Sequence, residues 1–110
     1  MAIKNHTGRV LRFVNAQDQV VVTMQPEAVT VRLDDVETVT TVSDVRVRTL
    51  APGAFVGLPA VVAGRQLIVN EGIALALWER AKGRTDVYEP EEPILVEGEV
   101  CYRGARRYVD

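Results

Sequence analysis

Apolar and polar residues alternate with a period of two through most of the first half of the chain, and that period predicts strands. Residues 10–14 (VLRFV) read as a strand, Asn15, Ala16, Gln17 and Asp18 as a turn, and residues 19–24 (QVVVTM) as the hairpin partner. After the break at Pro26, residues 28–33 place Val29, Val31 and Leu33 on one face, with Thr30 and Arg32 on the other. Asp34 and Asp35 suggest a turn. Residues 37–42 (ETVTTV) and 44–49 (DVRVRT) continue the β pattern around Ser43 and Asp44, as either one bent strand or a hairpin. Val45 and Val47 then share one face and Arg46 and Arg48 the other. Residues 50–64, with two prolines and three glycines, read as a loop region or a short strand packed under loops.

The pattern changes at residues 65–90. A short apolar run, Leu67, Ile68 and Val69, predicts a buried strand. Asn70 follows where a helix N-cap would stand, and Glu71 puts negative charge at the positive end of a helix dipole. From Ile73 to Ala81 apolar residues fill nearly every position, and Gly83 is a natural C-terminal stop. A helix this apolar must be covered on more than one side; the sheet is one expected cover and a second subunit the other. Beyond Pro90, Glu91 and Glu92 read as a solvated link, and residues 94–96 and 100–103 as a hairpin turning at Glu97 and Gly98. Residues 106–109 suggest a final short strand. The expected class is α+β: a mostly antiparallel β-sheet of hairpins, with one apolar α-helix near residues 71–82 packed on it. Residues 1–110 form a single expected domain.

Composition then narrows the function. With 47% hydrophobic residues, 25% charged residues and a net charge of −2, the chain can bury a core and has no electrostatic case for binding a nucleic-acid polymer or an acidic membrane. The lone Cys101 excludes an internal disulfide and reads as a small core residue. One serine (Ser43), one histidine (His6) and one cysteine leave little for nucleophilic catalysis, and a histidine-rich metal site is impossible. No phosphate-binding glycine motif occurs. Asp86, Glu89, Glu91 and Glu92 are close in sequence, but their proline-punctuated spacing suggests solvation rather than a tuned catalytic pair. His6 lies in a polar stretch that reads as a surface turn, and Arg46 and Arg48 as edge protection or a basic recognition stripe. The apolar runs are too short for a membrane span, and residues 1–10 have no signal-peptide hydrophobic region, so a cytoplasmic protein is expected.

Several short pieces carry a resemblance: Gly57-Leu58-Pro59, Leu67-Ile68-Val69-Asn70, the alanine-rich stretch 74–81, Arg84-Thr85-Asp86 with Pro90, and residues 100–104. Together they make the C-terminal half similar to a set of small, mostly uncharacterised proteins encoded by bacteriophages and prophages. Two departures stand out: Asn70 replaces the usual serine, and Asn5-His6-Thr7 lies where Thr-Pro-His is common. The resemblance implies phage origin and a small non-catalytic accessory role, in the host cytoplasm or in the virion.

Three functions follow as expectations. The first is an oligomeric binding module holding a small anionic or nucleotide-type ligand with Asn70, Arg84, Asp86, Tyr88 and Arg103. Arginines would fork onto phosphate, Tyr88 would stack on a base, and Asp86 would accept from sugar or base donors. The second is a virion structural or assembly subunit, using its apolar helix and sheet edges as homo-oligomer interfaces. The third is an adaptor that inhibits a host protein. None requires a cofactor or metal.

Overall fold

The computed structural model describes residues 2–80 and 84–109. Its class is β-rich α+β, with one short helix among the described residues. Six strands form a mixed sheet: β1 (Ala2–Asn5), β2 (Leu11–Val14), β3 (Val20–Met24), β6 (Arg65–Ile68), β7 (Val87–Val96) and β8 (Glu99–Arg106), ordered β1-β6-β7-β8-β2-β3. Two more, β4 (Arg32–Val42) and β5 (Val45–Val56), pair only with each other. Helix α1 (Ile73–Arg80) connects β6 to β7.

The hairpins legible in the sequence are present. β2 and β3 pair antiparallel, as do β7 and β8, the latter turning through Glu97 and Gly98 with φ of 52° and 81°. Ser43 and Asp44 have φ of 51° and 63°, so residues 37–49 form a hairpin with a two-residue primed turn rather than one bent strand. Three other pairings, β1–β6, β6–β7 and β2–β8, are parallel. The β6–β7 case has a plain cause: a helix lies between the two strands, and a crossover of this kind returns the chain in the same direction.

Several local expectations change. Asp34 and Asp35 do not turn the chain but lie within β4, where the register shifts between Leu33 and Asp35. Residues 28–31 precede the strand. Pro52 and Gly53 lie inside β5, because a strand paired on one side only accommodates both a proline and a bulge. Gly53 is required there: a Cβ would come within 2.4 Å of the Asp34 carbonyl oxygen. Glu91 and Glu92 continue β7 rather than forming a link, and residues 107–109 follow the last strand. The helix is shorter than the expected 71–82; residues 81 and 82, and the expected stop at Gly83, lie outside the described residues.

Strand β6 shows how the pattern builds the core. Leu67 and Val69 enter one cluster with Val31, Ala74, Leu77 and Val87, while Ile68 enters a second with Leu11 and Tyr102. Alternate residues of one strand thus feed both faces of the sheet. The free thiol of Cys101 is buried.

Candidate functional site

The residues singled out in the sequence fall into separate environments. Asn70 does not cap the helix with its side chain. Its amide donates to the Thr7 carbonyl at 3.0 Å, and its Oδ1 accepts from Arg9 Nε at 3.2 Å. The helix start is served across the sheet instead: the Gly72 N–H donates to Oε2 of Glu89, a β7 residue only 1% exposed, at 2.7 Å. A carboxylate there also complements the helix dipole. Glu89 therefore belongs to the buried framework rather than to a solvated acidic stretch.

Arg84 and Asp86 are brought together. Arg84 Nε donates to Asp86 Oδ1 at 2.8 Å, and its NH2 donates to the Pro59 carbonyl at 2.5 Å. The two side chains are 15% and 10% exposed. A phosphate at this fork would have to displace a carboxylate of the same chain. Tyr88 is half-buried against the Leu11, Ile68 and Tyr102 cluster, with the Arg107 guanidinium 5.7 Å from its ring centre. Arg103 lies elsewhere, 2.8 Å from Asp18 in the β2–β3 turn. It lines an open cavity of about 420 Å³ with Val14, Asn15 and Ala16.

Two features escaped the sequence reading. One is a buried polar knot at the ends of β1 and β6. Asn5, 1% exposed, accepts from the Thr7 backbone N–H and hydroxyl at 3.1 and 2.6 Å, and donates to the carbonyls of Arg9 and Met24 at 2.8 and 3.1 Å. All four hydrogen-bonding positions of its amide are used. The His6 ring donates through Nδ1 to the Val29 carbonyl at 2.7 Å, so this stretch is an internal joint and not a surface turn. Arg9 ties the knot to the body, donating at 2.5 Å to both the Tyr102 hydroxyl and Glu71 Oε1. Burial alone would lower its pKa, but the bonds to Tyr102 and Glu71 outweigh it and raise the value.

The other feature is the β4–β5 ribbon, a projecting arm. Phe55 and Leu58 pack against the helix-side core, and Arg80 donates to the Gly53 carbonyl, fixing the arm's base to the end of α1. Beyond the bulge about seven residue pairs extend the arm by roughly 24 Å, and the molecule measures 55 × 37 × 29 Å. Its radius of gyration, 16.9 Å, exceeds the roughly 13 Å of a compact domain of this length. Paired residues of antiparallel strands share a face. One face therefore carries Val36 with Ala51, Thr38 with Thr49, Thr40 with Val47, and Val42 with Val45. No charge stands among these eight, and seven are β-branched. Val36, Val42 and Val45 are 57, 58 and 61% exposed. The opposite face carries Glu37, Arg46 and Arg48. The turn at Ser43 and Asp44 was the missing piece; with it fixed, the face follows from the alternation.

Among the described residues there is no cluster of three or more potential metal ligands, and no helix is long and apolar enough to cross a membrane. No protein-family description, curated protein or solved structure matches the chain.

Proposed function

We propose that this chain is a non-catalytic accessory protein of the phage type its C-terminal half resembles, acting as an assembly subunit through protein–protein contact. The observation that carries the proposal is the arm: an isolated two-stranded ribbon is marginal in water, yet this one presents an uncharged, β-branched face to solvent. A partner surface supplies the cover that the chain itself does not. The edge strand β3 adds further exposed apolar side chains, Val20 and Val22 toward one face and Val21 toward the other. The half-buried helix residues Leu75 and Ala76 offer further apolar area for an oligomer contact.

Sequestration of a small anionic or nucleotide-type ligand has narrower support, from Arg103 beside its cavity. Asn70, Arg84 and Asp86 already hold partners within the chain.

Removal of the arm tests the assembly reading. A chain in which residues 36–51 are replaced by Asn-Gly is expected to keep the body's far-ultraviolet circular dichroism and thermal transition while losing its place in the natively purified complex or particle. A shortened chain that retains every association of the intact one would refute it.

A further inference from the structure

Resting on the assembly reading above, we infer that the arm's partner is a second copy of this chain, joined edge to edge so that β4 of one protomer lies beside β5 of the next. The two strands are oppositely charged. From residue 33 to the end of β4 the charged residues are Asp34, Asp35 and Glu37, all acidic; along β5 they are Arg46 and Arg48, both basic. Within one protomer this polarity yields an exposed ion pair, Arg48 Nε to Glu37 Oε1 at 3.8 Å.

The polarity discriminates between the ways two ribbons can meet. Two copies related by a twofold axis would set β4 against β4 or β5 against β5, placing strands of like net charge side by side. Like charges on neighbouring strands are unfavourable. Setting β4 against the next β5 repeats the complementarity already present inside the ribbon and continues the hydrogen-bond ladder. Such a head-to-tail contact uses two different surfaces and so recruits further copies, closing as a ring or growing as a filament.

The edges are open for this. Native sheets guard exposed edges with prolines, bulges and charge. Here Pro52 and the Leu33/Asp35 register shift lie at the base of the arm. Between Val36 and Ala51 there is neither; the strand charges there are Glu37 on β4 and Arg46 and Arg48 on β5, with Asp44 in the turn. Size points the same way. The uncharged face covers roughly 240 Å², taking two strands about 4.8 Å apart over about 24 Å. That is well short of the roughly 800 Å² per partner of a standard interface, so face-to-face stacking of two arms alone is too small. Edge addition on both sides engages two neighbours and merges the small faces into one continuous uncharged surface.

The test combines charge exchange with cross-linking on the full chain. Wild-type protein is expected to give assemblies larger than a dimer by native mass spectrometry. R46E/R48E, which makes both strands acidic, is expected to weaken association about tenfold or more, and E37R added to that variant to recover part of the loss. Thermal unfolding of each variant's monomer separates a folding defect from an association defect. A short bismaleimide should join chains carrying T38C to chains carrying T49C in a mixture, and should not join T38C chains to one another; the native Cys101 is buried. A wild-type chain that stays monomeric at about 100 μM, a strict dimer, or T38C self-linking would each overturn the inference. The assembly reading is judged separately, by whether removing residues 36–51 takes the chain out of its native complex.

Discussion

The body around β6, α1 and β7 and the arm of β4 and β5 obey opposite rules. In the body, several buried polar side chains hold partners within the chain: Asn5 uses its whole amide, Asp86 holds Arg84, and Glu89 serves the start of α1. Arg65 Nε and Gln66 Oε1 are buried without a hydrogen-bond partner among the described residues. The body's core residues are enclosed, with Leu67, Val69 and Val31 at 0% exposure, although Leu95 near the end of β7 and Val100 of β8 stand in solvent. In the arm the same residue types, mostly valine and threonine, stand in solvent on a face without charge. One chain thus contains a region built around enclosed core clusters and a two-stranded region without a core of its own. On the proposed assembly reading, that difference makes the arm the principal contact surface.

Mutations should separate the two regions sharply. Leu67→Ala is expected to cost about 2–5 kcal/mol of unfolding free energy, measured by denaturant titration, and to loosen the body as a whole. Asp86→Ala leaves the Arg84 guanidinium, itself largely buried, without its carboxylate; a loss of about 3 kcal/mol is expected. Glu89→Ala orphans the Gly72 N–H and should cost about 1–3 kcal/mol. At the small end, Val45→Ala in the arm should change the stability of the isolated protomer by less than about 0.5 kcal/mol while reducing assembly. A large destabilisation from Val45→Ala would mean that the arm is part of the folding unit, and the contrast would fail.

Alkaline titration adds a finer probe of the body. The nearby Glu89 carboxylate, aided by burial, holds the Tyr108 hydroxyl above its usual pKa of 10.0. A raised value in the folded state means that folding favours the neutral phenol. The associated stability is complete below the unfolded pKa and is lost as pH rises through the higher folded one. Glu89→Gln should return Tyr108 toward the ordinary phenol range, read by ultraviolet difference spectroscopy at high pH.

Local chemistry made the hairpins legible. Glu97-Gly98 and the run Asn15 to Asp18 announce turns between apolar segments, and both hairpins are present. What adjacent residues do not encode is how separated segments meet. Phe13 pairs with Tyr102, and β1 pairs with β6 across some sixty residues, so the parallel order of the sheet was not readable from periodicity. Pro52 and Gly53 read as a loop because they usually break strands; in a ribbon with two open edges they do not. The candidate site failed to converge for a related reason. Arg84 and Asp86 are near in sequence and meet, whereas Arg103 is drawn to Asp18 at the opposite end of its sheet neighbours. The hub residue Arg9 carries no local motif; its role depends on Tyr102, Asn70 and Glu71 arriving from afar.

The tight turn at Ser43 and Asp44 also bears on the order of events during synthesis. All arm pairings lie within residues 32–56, whereas β2 waits for Tyr102. A hairpin closes in about 1–10 μs, while a ribosome adding about 5–20 residues per second needs several seconds to reach the last strand. Nascent chains should therefore sample the ribbon's pairing, marginal as it is without the body, before their bodies close. Pulsed hydrogen exchange during synthesis should show the ribbon's amides gaining lasting protection only once the body that holds its base has closed.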